Sequence, residues 1–169
     1  MTALLFRIRS FDERLLAAVV VRRKDWLDRT MITVTHLGGA TFTILFSILL
    51  ATGLIPGTGP VGRLAIQTLA ISHIVAQLLK RTVTRSRPQM PVGFAFLAVP
   101  PDRFSFPSGH ATAALAVALP VAAALGPILS VLVLALALLV GISRCYLGVH
   151  YPGDVIIGWI VAWTTYIIL

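Results

Sequence analysis

Cations, imidazoles and a carboxylate recur at a few points of an otherwise apolar chain: Lys80 and Arg87, then Ser108, Gly109 and His110, then Arg144, then His150 and Asp154. The segment 143–154 is the densest, holding Arg144, His150 and Asp154 between two strongly apolar stretches. Charge is costly in such surroundings, and an ionisable residue kept there is a functional candidate. The cations suit a tetrahedral phosphate, to which Arg offers a planar fork of donors and Lys a point charge. Ser108 reads as the N-cap of a helix, and Gly109 as a place where backbone and ligand approach closely. The free N–H groups of that helix start favour an anion. Two imidazoles beside them suggest a division of labour. His150 attacks phosphorus and becomes a phosphohistidine, and His110 protonates the leaving oxygen. Asp154 follows His150 by one helical turn, so its carboxylate can hold one ring nitrogen and leave the other lone pair free. A metal ion on the two histidines and Asp154 is the competing reading, and the crowd of cations opposes it. No metal or cofactor is expected. Arg81 and Arg85 read as span-end cations that meet lipid phosphates.

Apolar segments must position these residues. Thr30 to Gly62 carries no charged side chain, which predicts a first span from about Met31 to Ile55. Pro56-Gly57-Thr58-Gly59-Pro60 makes a turn, and a second span runs from Arg63 to about Val83. Residues 84–106, with Pro88, Pro91, Pro100 and Pro101, form a loop long enough to be functional. Its Phe94, Phe96, Leu97 and Phe104 either shape lipid entry or dip into the interface. A third span runs from about Ser108 to Leu125 with a kink at Pro120, a fourth from Pro127 to about Cys145, and a fifth from Pro152 to Leu169. Ahead of them, residues 1–29 are basic and amphipathic. Leu4, Ile8, Phe11, Leu15 and Ala18 make a helical stripe; Arg7, Arg9, Arg14, Arg22, Arg23, Lys24 and Arg29 surround it, and Trp26 is a possible anchor. The expected fold is therefore all-α: a polytopic membrane bundle of about five transmembrane helices over residues 30–169, with an N-terminal interfacial helix in 1–29. Alternating spans bring Lys80, Arg87, Ser108 to His110, Arg144, His150 and Asp154 to one membrane face.

Composition agrees with a membrane protein. The chain has 169 residues, 57% hydrophobic and only 12% charged, with mean hydropathy +0.92; soluble domains carry about 25% charged residues. The single cysteine, Cys145, excludes an internal disulfide and a multi-cysteine metal site. A net charge of +8 points to lipid headgroups and anionic substrates rather than nucleic acid. Arg7, Arg9, Asp12, Glu13 and Arg14 interrupt the apolar run that a signal peptide would need.

Lys80-x6-Arg87-Pro88, Pro107-Ser108-Gly109-His110 and Ser143-Arg144-x5-His150-x3-Asp154 together resemble the type 2 phosphatidic acid phosphatase (PAP2) superfamily, in order and without departure. The resemblance covers residues from about 30 onward. It implies a metal-independent phosphatase in which Lys80, Arg87, Ser108, Gly109 and Arg144 bind phosphate, with the roles of His110, His150 and Asp154 as above. The soluble vanadium haloperoxidases share these motifs, but membrane spans argue against that activity. One departure is visible. Membrane members commonly have six spans, and here the amphipathic segment takes the place of the first. His36-Leu37-Gly38-Gly39 resembles a segment of bacterial phosphatidylglycerophosphate or undecaprenyl-diphosphate phosphatases; the glycines read as close helix packing, and His36 as either lining the site or packing.

All Lys and Arg residues except Arg63 fall on the motif side, so the positive-inside rule places the site in the cytoplasm. The resemblance to six-span bacterial members points to the outer face instead. Either way the expected location is the bacterial inner membrane, multi-pass. The expected partners are the bilayer and a lipid phosphate or diphosphate: phosphatidylglycerophosphate, undecaprenyl diphosphate, phosphatidic acid or, for a cytoplasmic site, a polyprenyl-phosphoribose phosphate. A non-catalytic lipid-phosphate binder or carrier is the reading from another class. It would need the cations but not two histidines with an aspartate.

Overall fold

The apolar segments fold as helices: α1 (Thr2–Val20), α2 (Asp25–Thr35), a 3-10 turn (His36–Gly38), α3 (Ala40–Ala51), α4 (Gly59–Val83), α5 (Gly109–Ala123), α6 (Pro127–Tyr146) and α7 (Pro152–Ile168). The structure is a computed structural model and describes residues 2–100 and 102–169, with side chains from Ser10 onward. The side chains of Leu4, Arg7, Ile8 and Arg9, and the whole of Pro101, lie outside the described residues.

Small residues put α5 at the centre. Ala111, Ala113, Ala114, Ala116, Ala118 and Ala122 are buried, and side chains this small let α4, α6 and α7 pack close to its backbone. The helix continues through Pro120 to Ala123. Its neighbours turn apolar side chains outward: Ile74 and Leu78 from α4, Leu132 and Leu136 from α6, Ile160 and Trp163 from α7. An outer belt of this kind suits hydrocarbon rather than water. α4 and α6 are each long and apolar enough to cross a membrane, and α5 and α7 are shorter apolar helices. Buried hydroxyls inside the belt satisfy themselves on their own helices, as Ser47 does on the Thr43 carbonyl at 2.7 Å and Thr165 on Val161 at 2.8 Å.

The expected first span is not one continuous helix. α2 and α3 meet at a 50° bend, and only as a pair are they long and apolar enough to be a further span. Gly39 leaves the helix in extended conformation, φ −71° and ψ 151°. Gly38 makes the close approach expected of it. A Cβ there would stand 2.5 Å from Val140 Cγ1 and 2.7 Å from the His110 carbonyl oxygen. The bend thus falls where the chain passes close to the His110 backbone. Hydropathy carries no information about backbone direction, so the sequence showed an unbroken apolar run.

α1 packs on α6 and α7. Leu16 and Val20 are buried with Ala111, Cys145, Tyr151 and Val155. Phe11 and Leu15, from the expected stripe, are exposed, and Asp12 on the docking face is buried. Phe11 and Leu15 therefore face away from the protein. Arg23 also departs from its expected interfacial place. Its Nε and Nη2 donate to the Tyr146 carbonyl at 2.9 and 2.6 Å, and Nη1 donates to Ala95 at 2.7 Å. A cation on the last carbonyls of α6 complements the helix dipole and ties the 84–106 loop down.

Candidate active site

Three local structures assemble the site. Past α4 the chain forms a long loop whose ends pair. Ser86 and Phe104 make an antiparallel bridge, and the Ser105 N–H donates to the Arg85 carbonyl at 2.8 Å. At the start of α5, Ser108 is the N-cap, its Oγ accepting the Ala111 N–H at 3.5 Å. The Ser108 N–H donates to the Asp154 carbonyl at 3.0 Å, which ties the second motif to the third. After α6, Gly148 turns the chain with φ +85°, and a Cβ there would stand 2.7 Å from Met90 Sδ. The N–H groups of Val149 and His150 then donate back to the Arg144 carbonyl at 3.2 and 3.3 Å. Lys80, Arg87, His110, Arg144, His150 and Asp154 end up together, at the C-terminal ends of α4 and α6 and the N-terminal ends of α5 and α7.

His150 is fully buried in the α6–α7 turn. Its Nε2 lies 3.2 Å from Arg87 Nη1. A guanidinium can only donate, so Nε2 is the acceptor and the proton sits on Nδ1. Nδ1 faces Asp154 Oδ2 at 3.7 Å, too long for a hydrogen bond, and has no other partner among the described residues. Burial pushes the imidazole down to about 4; Asp154 works against this, and Arg144 and Arg87 add to it. The ring is therefore neutral near pH 7.

Asp154 is completely buried and held from two sides. Oδ2 accepts the Tyr151 N–H at 2.9 Å, and Oδ1 accepts from Arg85 Nη1 at 2.8 Å. Here the structure corrects the sequence reading. Arg85 does not reach for lipid. Its guanidinium also donates to Asp12 Oδ2 at 2.9 Å and lies 4.0 Å over the Tyr151 ring. Asp12 in turn accepts the Gly153 N–H at 2.9 Å, so α1 caps the start of α7. Arg81, by contrast, is exposed as expected. The signal for Arg85 was present: Arg85 and Arg87 are two apart in an extended segment, where such residues share a face. Nothing in the sequence pointed to Asp12, which lies off the stripe.

Arg144 is buried, donates from Nη1 to Thr35 Oγ1 at 2.9 Å, and carries an Nε–H with no acceptor among the described residues. His110 lies within electrostatic reach of Arg144, His150, His36 and Arg87. A Cβ on Gly109 would meet open space rather than a protein neighbour. His36 is exposed and not packed in the interior. Lys80 and Arg87 meet on an acid the sequence reading passed over. Asp102 accepts from Lys80 Nζ at 2.7 Å and from Arg87 Nη2 at 2.8 Å. Burial would raise the Asp102 carboxyl, but these contacts outweigh it and hold it below the usual carboxylate range. Among the described residues, no group of three His, Cys, Asp or Glu stands together as a metal cluster.

Residues 62–169 match the family described as the PAP2 superfamily. The chain belongs to that superfamily. PAP2 membership, with relatives that are phosphatases, makes it a membrane lipid phosphatase. It is 36% identical to phosphatidylglycerophosphatase B of Bacillus subtilis over 163 residues, 89% of this chain and 77% of that protein. It is 46% identical to decaprenylphosphoryl-5-phosphoribose phosphatase of Mycobacterium tuberculosis over 89 residues, 52% of this chain and 48% of that protein. The latter match thus spans about half of each chain. The fold is similar to the crystal structure of a transmembrane PAP2-type phosphatidylglycerolphosphate phosphatase from Bacillus subtilis, with a TM-score of 0.81 and 30% identity over 96% of this chain and 84% of that one.

Proposed function

We propose that this PAP2 protein hydrolyses a lipid phosphate or diphosphate at the membrane face, through a phosphohistidine on His150 and without a metal ion. One observation carries the reading: the two faces of the His150 ring. A donor at 3.2 Å on Nε2 and a carboxylate at 3.7 Å from Nδ1 leave the lone pair on the nitrogen that faces the cations. Catalytic hydrogen bonds are often long in the unliganded state and tighten with substrate, which would bring Asp154 onto Nδ1–H. His150 Nε2 attacks phosphorus, and the P–O bond to the lipid breaks. His110 delivers a proton to the leaving oxygen, which departs as the lipid alcohol or lipid phosphate. Water then attacks the phosphohistidine, His110 takes its proton, the P–N bond breaks and inorganic phosphate leaves. Lys80, Arg87 and Arg144, with Ser108 and Gly109 at the start of α5, hold the phosphoryl oxygens. The metal-free reading is supported by the donor set, which is mostly cationic.

About five spans, with α2–α3 as a bent first one, fit the alternation that puts all motifs on one face. Residues 1–29 would lie in the interface and 30–169 form the phosphatase domain, in a bacterial inner membrane. Phosphatidylglycerophosphate is the substrate best supported, by the relative that matches most of the chain. A polyprenyl-phosphoribose phosphate is the second reading, supported by the higher identity over a shorter match of 89 residues.

Purified full-length protein is expected to release phosphate from phosphatidylglycerophosphate, undecaprenyl diphosphate, phosphatidic acid or a polyprenyl-phosphoribose phosphate, at the same rate in excess EDTA. Release from none of the panel would sink the catalytic reading and favour a lipid-phosphate binder; loss in EDTA would sink the metal-free one.

Arg85 acts through Asp154. Arg85→Ala leaves a buried carboxylate unpaired, and breaking such a pair destabilises by about 3–5 kcal/mol; thermal unfolding in detergent should show it. Asp12→Asn keeps the Gly153 acceptor and should lower the melting temperature less. Equal stability of Arg85→Ala and wild type would remove Arg85 from the site's support.

A further inference from the structure

We propose that Asp102 is an internal competitor, a tethered anion that occupies Lys80 and Arg87 and sets an affinity threshold that an incoming phosphate group must exceed. The inference rests on the reading that these two cations bind the substrate phosphoryl group. Both are engaged by one carboxylate. Oδ2 accepts from Lys80 Nζ at 2.7 Å, Oδ1 accepts from Arg87 Nη2 at 2.8 Å and from the Phe104 N–H at 3.1 Å, and the Asp102 carbonyl accepts from Arg87 Nε at 2.9 Å. The two cations are nearly buried, with side chains 10% and 9% exposed, whereas that of Asp102 is 37% exposed. The acid therefore sits on the open side of the pair, where an incoming anion must arrive.

The chain path sets this up. Ser86–Phe104 pairing closes the loop just beside Arg87, so Asp102 returns opposite it. A tethered carboxylate competes at an effective concentration on the order of millimolar. Any phosphate that takes Lys80 and Arg87 must displace it. A phosphodiester headgroup brings one negative charge and two free oxygens. That is what the carboxylate already supplies, so the exchange gains little. A phosphomonoester brings between one and two charges at neutral pH and three acceptor oxygens, and a terminal diphosphate is comparable. Exchange then favours the ligand, since each added charge faces several cations at short range. A site at a bilayer surface is surrounded by phosphodiester lipids in large excess over any lipid monoester. An internal competitor of charge −1 weakens both classes by the same factor, so a weakly held diester in excess no longer fills the site while a more tightly held monoester still displaces the carboxylate.

Asp102→Asn removes the charge and keeps the shape and the Phe104 contact. Binding of inorganic phosphate, read by calorimetry at fixed ionic strength, is expected to tighten roughly tenfold. In mixed micelles, inhibition of phosphomonoester turnover by phosphatidylglycerol should strengthen by a similar factor. Asp102→Glu, which restores the charge, should return both to near the wild-type values. Unchanged or weaker phosphate binding by a folded Asp102→Asn protein, or diester inhibition equal to wild type, would overturn the inference and leave Asp102 as a brace for its two cations. Should Asp102→Asn fail to fold, Asp102→Ser is measured in the same way and judged by the same outcomes. Calorimetry needs no turnover, so failure of the catalytic reading is told apart from failure of this one.

Discussion

Replacing His150 with Ala should lower phosphate release from a lipid phosphate by roughly ten-thousand-fold or more, as loss of a covalent nucleophile does in other hydrolases. The size follows from the geometry. Nε2 carries the lone pair that Arg87 donates to, and no other described side chain presents a free nitrogen base on that face with a carboxylate behind it. His110 is the nearest alternative, but no carboxylate lies within its hydrogen-bonding reach among the described residues. The variant should fold, because the ring makes one long contact with Arg87 and none with Asp154 at hydrogen-bond distance. Size-exclusion profile and melting temperature check this, and His150→Asn gives a closer match in volume. A folded His150→Ala protein with normal turnover would end the phosphohistidine mechanism, and so would failure to trap labelled phosphate on the wild type during turnover.

Arg144→Ala is expected to reduce kcat by about a hundred- to a thousand-fold, the usual effect of removing a preorganised donor from developing oxyanion charge. Arg144 is buried, aimed by Thr35 Oγ1 at 2.9 Å, and retains an Nε–H with no acceptor among the described residues. A fixed guanidinium of this kind needs no reorganisation when the phosphoryl group spreads its charge. Arg144→Lys should recover little, since an ammonium offers no planar fork and cannot reach Thr35 and phosphate in the same way. The kinetic split decides the role. A fall in kcat places the contact in the transition state; a rise in KM with kcat unchanged would mean that Arg144 only binds the ground state.

The candidate residues of the site stood out in the sequence to an unusual degree, for a specific reason. In an apolar chain the few polar side chains stand out, and the cost of burying charge makes most of them informative. Lys80, Arg87, His110, Arg144, His150 and Asp154 were singled out this way, and α4 to α7 begin and end within a few residues of the expected spans. The N-cap at Ser108 could be read because capping is local. The bend between α2 and α3 could not, because apolar residues on either side of Gly38 and Gly39 look alike whichever way the backbone turns.

By itself, then, the sequence determined the all-helical, apolar class and the inventory of candidate groups that the fold brings together. Hydropathy and spacing are one-dimensional properties, and span alternation converts them into sidedness. Only the tertiary structure decided the pairings. Arg85 is two residues from Arg87, yet it binds Asp12 and Asp154 while Arg87 binds Asp102 and His150. It also decided which face of α1 docks, leaving Phe11 and Leu15 outside and Asp12 within. Coulomb attraction between partly buried groups changes steeply over a few ångströms. The path of the 84–106 loop, and the place where α1 comes to rest on α6 and α7, set those distances through contacts between residues remote in sequence, which no local pattern records.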